Sequence, residues 1–141
     1  KARDVLRFVG ENLGAKVYVV AAEDKVYYHL AAVFVCNLLS ALMQAGTGIM
    51  ERIDIDFDPF IPIIRATMNN IETKGPLAAL TGPIVRGDDK TILSHLAAMS
   101  DMSLHKEIYL ALSKMAFQMA QERGTLDGSQ TDVIRRLLDN T

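Results

Sequence analysis

A mainly α-helical fold, with one short helix and one strand at its front, is predicted by three features of the chain. Apolar residues recur at helical spacing through most of its 141 residues. The breaks between these runs fall on Gly or Gly-Pro. A β-branched and aromatic stretch of strand character stands alone, at Lys16 to Val20 (KVYVV). Half of the residues are hydrophobic, enough to bury one sizeable core.

Residues 2–13 (ARDVLRFVGENL) set Val5, Leu6, Phe8, Val9 and Leu13 against Arg3, Asp4, Arg7, Glu11 and Asn12, an amphipathic helix that Gly14 stops. The strand at 16–20 follows. A helix, a Gly and a strand make half of an α/β unit, and a lone strand needs a sheet from elsewhere. Residues 21–24 turn, with Asp24 at an N-cap position, into a long helix from Lys25 to about Gln44, extending to Arg52 if its glycines are absorbed. Residues 53–59 (IDIDFDP) form a loop, and Pro59 to Thr73 forms a helix whose two prolines fall in the first turn. Beyond the Gly-Pro passage, helices are expected from Asp88 to Met99, from Leu104 to Arg123 with Ser103 as cap and Gly124 as stop, and from Ser129 or Thr131 to Leu138.

The net charge is −2, and the basic residues are scattered, so nothing points to a nucleic-acid partner. Cys36 stands alone in an apolar stretch, which excludes an internal disulfide framework and fits a reducing cytoplasm. The first residues lack an apolar signal region, and a start on Lys1 fits a processed or excised piece of a longer protein. Val26 to Met50 carries no Asp, Glu, Lys or Arg and is long enough for a bilayer. His29, Asn37, Ser40 and Gln44 interrupt it, and neither an aromatic belt nor a basic flank accompanies it, so a helix buried in protein is expected rather than a membrane span.

The passage Gly75 to Asp89 (GPLAALTGPIVRGDD) holds two Gly-Pro pairs and a charged turn where a helix connection needs one breaker, and so reads as a shaped surface. Asp88 suits an N-cap, Gly87 permits the turn, and Arg86 is left to bridge a carboxylate, a phosphate or a partner; structural pairing is the plainer alternative. On the long helix, Lys25 and His29 lie about 40° apart and Asn37 about 80° from His29. A Lys and a His one turn apart can serve as acid/base or as donors to a carbonyl, or Lys25 is a solvated first-turn residue and His29 and Asn37 are satisfied interior groups. Asp54, Asp56 and Asp58 alternate as in a calcium loop, but the required Gly is missing and Arg65 stands where the closing Glu belongs. Three His and one Cys are too dispersed for zinc, so no metal is expected. No glycine-rich phosphate loop and no nucleophile elbow occurs.

The chain resembles the C-terminal helical domain of unknown function that follows a Rossmann-like domain in NAD(P)-dependent oxidoreductases. Those are similar to deazaflavin-dependent NADP oxidoreductases, to pyrroline-5-carboxylate reductase and to the C-terminal domains of 6-phosphogluconate and hydroxyacid dehydrogenases. The resemblance rests on Tyr28-His29-Leu30-Ala31-Ala32 with Asn37, Arg65-Ala66-Thr67 with Asn70-Ile71, Gly75-Pro76 through Thr81-Gly82-Pro83 to Arg86-Gly87-Asp88, and His95-Leu96-Ala97-Ala98. It implies a helical bundle of the 6-phosphogluconate-dehydrogenase C-terminal-like type over residues 23–141, with residues 1–22 the end of the Rossmann-like domain. It further implies a homodimer through the long apolar helix and a cleft for a small carbonyl, imino or hydroxy-acid substrate, lined by Thr81, Gly82, Pro83, Arg86, Asp88 and His95. The expected catalytic residues are Lys25, His29 and Asn37. NAD(P) is the expected cofactor of the full-length protein, none being held by this chain alone. Two departures stand: the phosphate loop is absent, and the residue four after Lys25 is His29, whereas related dehydrogenases carry a Lys and an Asn one turn apart. The competing expectation is a non-catalytic helical dimerisation module of a nucleotide-sensing protein.

Overall fold

The computed structural model describes residues 2–139. The chain is mainly helical and separates into two units, Lys1–Ile53 and Asp54–Thr141, each described here by itself.

The first unit opens with α1 (Ala2–Asn12). Gly14 ends it in the left-handed region (φ 73°), and the Ala15 amide returns to the Gly10 carbonyl at 3.0 Å, so the last carbonyls are satisfied by a Schellman-type close. Gly10 sits inside the helix because Val17 passes there: a Cβ on Gly10 would stand 2.7 Å from a Val17 methyl. The expected strand at 16–20 is corrected, since the described residues contain no strand. The segment is irregular and packs along α1, because a strand exists only through a ladder and no partner segment lies in this unit.

The long helix follows as α2 (Lys25–Ala32), a π-helical turn (Val33–Asn37) and α3 (Leu38–Met50), closed by a 3-10 turn at Glu51–Ile53. Its glycines at 46 and 48 are absorbed, and Thr47 bonds back to the Met43 carbonyl. Asp24 makes no side-chain cap. The expectation of burial on nearly all sides is not met within this chain: no residue of this helix is buried, and Tyr27, Phe34 and Val35 are 60–70% exposed, at 70%, 61% and 67%.

The second unit carries the core. Asp54 starts it with φ 54°, and a 3-10 turn at Asp58–Phe60 leads into α4 (Ile61–Lys74). Two one-turn helices, α5 (Pro76–Ala79) and α6 (Pro83–Arg86), each open on proline, whose missing amide costs nothing at a first helical position. Then come α7 (Asp89–Ala98), α8 (Ser103–Glu122) and α9 (Gly128–Asp139). Ile84, Ile92, Leu96, Met99, Phe117, Ile134 and Leu138 form one apolar cluster from α6 to α9, with Ile92 and Ile134 fully buried. Asp88 caps α7 as expected, accepting from the Thr91 amide at 3.1 Å. Ser103 does not cap α8: it is the first helical residue, behind Met102. At α9 the cap is Asp127, which accepts from the Gln130 amide while Gln130 Oε1 accepts from the Asp127 amide, a reciprocal capping box.

Two measurements test this unit. Ile92→Ala or Ile134→Ala, each at a fully buried position, is expected to cost about 2–5 kcal/mol in denaturant unfolding; a loss inside error would place the core elsewhere. The Asp88 carboxyl is held below its ordinary range by the Thr91 hydroxyl and amide, and that of Asp127 by the Gln130 amide and the Ser129 hydroxyl. Their contribution is therefore complete above the unfolded carboxylate value of about 3.9 and is lost as pH falls through the lower folded values. Thermal melts between pH 7 and pH 2 should show this acid loss, reduced in an Asp88→Asn, Asp127→Asn double variant, which keeps both caps but cannot titrate.

Candidate functional site

The site is built around the turn from Leu80 to Asp88. Leu80 leaves α5 in an extended conformation, and Gly82 (φ 110°, ψ −177°) takes a backbone shape that disfavours a side chain. Pro83 then starts α6, which buries Ile84 as its anchor and sends Arg86 outward at its last position. Gly87 (φ 66°) closes it, with the Asp88 amide on the Pro83 carbonyl at 2.9 Å. Asp88 turns to cap α7 and takes a second bond from the Thr91 hydroxyl at 2.8 Å. The Arg86 guanidinium forms no ion pair or side-chain hydrogen bond with the described residues; its charge adds to the lowering of the Asp88 carboxyl.

Two side chains from far along the chain hold this turn at its ends. Arg123, at the end of α8, donates to the Leu80 carbonyl at 2.6 Å and to the Leu77 carbonyl at 3.4 Å. Gln130, already half of the α9 capping box, donates from Nε2 to the Arg86 carbonyl at 3.3 Å. Gly87 is needed for that approach: a Cβ there would come within 2.5 Å of Gln130 Nε2.

Thr81, Gly82, Pro83, Arg86 and Asp88 are thus brought into one turn, and His95 follows on α7, seven residues past Asp88 and about 20° from it around the helix. His95 Nδ1 lies 3.1 Å from the Tyr109 hydroxyl on α8, with the rings edge to face. Burial pushes the Tyr109 phenol up, opposed in part by its interaction with Ser113. Lys25, His29 and Asn37 belong to the first unit, all exposed. The π turn changes their phasing. It adds one residue to a turn, confirmed by the Leu38 amide bonding to the Val33 carbonyl five residues back, so Asn37 moves from about 80° to about 20° from His29.

Among the described residues no three His, Cys, Asp or Glu side chains gather as metal ligands. The two Gly-Pro turns do not fit a dinucleotide's phosphates. Pro76 and Pro83 remove an amide where a phosphate oxygen needs one, and each opens a helix of only four residues. Sequence reasoning missed Tyr109, Arg123 and Gln130. The Asp127-x-x-Gln130 spacing signals the capping box, but nothing in the spacing of the other two announces a partner on another helix.

Gln130→Ala and Gly87→Ala each release one end of the turn. Both are expected to speed amide hydrogen exchange across residues 84–91 while leaving α4 unchanged, and Gly87→Ala adds about 1–2 kcal/mol of left-handed strain. Unaltered exchange in both variants would show that the turn does not depend on Gln130.

No curated protein matches the chain, and no solved structure does. Residues 1–116, well over half of the chain, match the family described as Domain of unknown function (DUF2520), and the chain belongs to that family.

Proposed function

We propose that this chain is the substrate-binding and dimerising part of an NAD(P)-dependent oxidoreductase acting on a small carbonyl, imino or hydroxy-acid substrate in the cytoplasm. Residues 1–22 are then the end of a Rossmann-like domain, and residues 23–141 a helical domain of the 6-phosphogluconate-dehydrogenase C-terminal-like type. The observation that carries this reading is the helix Lys25–Ile53: 29 residues, apolar, and with no buried residue in its own chain. By length and composition it is able to cross a membrane, but it bears His29, Asn37, Ser40 and Gln44. A helix apolar on all sides requires a cover, and the cover that fits a helix dotted with polar groups is the same helix of a second copy. The irregular segment 15–20, without a ladder of its own, supports a sheet contributed by a preceding domain.

On this reading His29 and Asn37, brought to one face by the π turn, orient a substrate carbonyl or carboxylate, and Lys25 one turn earlier exchanges a proton with it. The nucleotide supplies hydride when bound by the full-length protein, and no step here is drawn through it.

Light scattering is expected to find a dimer, and Phe34→Asp a monomer of unchanged helicity. A monomeric parent, or flotation of the chain with lipid vesicles, overturns the dimer. The full-length protein is expected to bind NADPH or NADH and to lose about a hundredfold or more in turnover on a keto- and imino-acid panel in the His29→Ala variant. Nucleotide binding without turnover on any member of the panel would replace this function with that of a non-catalytic dimerisation module.

A further inference from the structure

Gly128 is a glycine that the fold does not ask for. Gly10 makes room for Val17, and five other glycines stand at positive φ. Gly128 does neither: it is the first helical residue of α9, and a Cβ on it would meet nothing within 4 Å. Alanine would cost the helix less backbone entropy. What glycine supplies is an unshielded amide nitrogen directly after the exposed Asp127, in the one Asp-Gly step of the sequence. That amide is among those a helix start leaves without a backbone acceptor, and it makes no hydrogen bond among the described residues.

A carboxyl beside an unhindered amide nitrogen is the arrangement from which a cyclic imide closes. The Gly128 nitrogen bonds to Cγ of the neutral Asp127 carboxyl, and its proton leaves with a carboxyl hydroxyl as water. Water then adds at the main-chain carbonyl carbon of Asp127 and breaks that carbon's bond to the Gly128 nitrogen. The main chain now runs through Cγ, one methylene longer, with a carboxylate left on Cα. No electrons are exchanged, and the mass is unchanged.

The folded chain restrains this closure. Asp127 Oδ1 accepts from the Gln130 amide and from the Ser129 hydroxyl, each at 2.8 Å, which turns the carboxyl toward residues beyond Gly128. The same partners, the Gln130 amide first, hold the carboxyl below its ordinary range, in the ionised form from which water does not readily leave. The main chain of Asp127 is tied as well: its carbonyl accepts from the Thr131 amide at 2.9 Å, and its amide donates to Gln130 Oε1 at 3.0 Å. Gln130 then reaches the Arg86 carbonyl from Nε2.

We propose that Asp127–Gly128 is a site of spontaneous isomerisation of aspartate to isoaspartate through a cyclic imide, restrained by the capping box, and that the modification unties the turn at 80–88. With Cγ in the main chain, the carboxylate no longer meets the Gln130 amide, and the Asp127 carbonyl is displaced from the Thr131 amide. Gln130 loses the contact that fixes its side chain, and with it the hold on Arg86. The proposal is independent of the function proposed above.

The test incubates the folded chain and its variants at neutral pH. Isoaspartate at residue 127 is measured by enzymatic methylation of its free carboxyl and by peptide mapping. It is expected to accumulate slowly in the unaltered chain and fastest in urea. Ser129→Ala and Gln130→Ala, each short of one hydrogen bond of the box, should form it about fivefold faster than the unaltered chain. Gly128→Ala should suppress it, folded or in urea, with a melting temperature unchanged or raised. The isoaspartyl fraction, separated by chromatography, should exchange amides across residues 84–91 faster than the parent. Absence of isoaspartate at residue 127 from the folded chain and from both box variants overturns the site. Equal rates in the folded chain and the box variants overturn the restraint, and unchanged exchange in the modified fraction overturns the untying.

Discussion

The turn from Leu80 to Asp88 depends on two carbonyls being met by side chains that arrive from more than forty residues away. Arg123 takes the Leu80 carbonyl and Gln130 the Arg86 carbonyl. A segment with two glycines at positive φ and only one buried anchor, Ile84, has little of its own to choose a single conformation. Tying both ends to rigid helices removes that freedom, and the geometry of Arg86, Gly87 and Asp88 then follows from where α8 and α9 sit. Both ties lie beyond residue 116, where the family match ends, although the turn they hold lies inside it.

The two units differ in what holds them. From α6 to α9 the apolar faces meet in a single cluster around Ile92 and Ile134, and the caps at Asp88 and Asp127 satisfy the amides that the helix starts leave open. In the first unit Gly10 and Val17 make the one close approach noted, and the long helix turns Tyr27, Phe34 and Val35 to solvent. Such a helix owes its stability to propensity and backbone bonds until something covers it, and those terms are small.

Much of the fold is legible in the residues because helix ends are local events. Gly14, Gly87 and Gly124 each stop a helix in the left-handed region, and Asp88 caps the helix it precedes. The misreadings are non-local. Lys16 to Val20 has strand composition, but a strand is a property of a pair. Ser103 has the right chemistry for a cap, but the chain turns one residue too early for its hydroxyl to serve. The meeting of Tyr109 with His95 joins two residues fourteen apart, on different helices, by a distance no pattern encodes. As for the candidate site, the turn residues and His95 were readable as a group, whereas their supports were not.

The π turn at Val33–Asn37 has a consequence for how this helix tolerates change in length. One residue there is surplus to the α-helical register. Deleting it would leave every backbone bond satisfiable and the local chain more regular than before. The same deletion would leave everything from Leu38 onward in its present register against Lys25 to Ala32, because the 100° lost with the residue is the 100° that the π turn withholds. Asn37, then seven residues from His29, would stay about 20° from its line, and a partner seated along the full length would meet both halves as before. The irregularity is therefore an absorbed residue: the helix takes up one extra position locally without turning its two halves against each other.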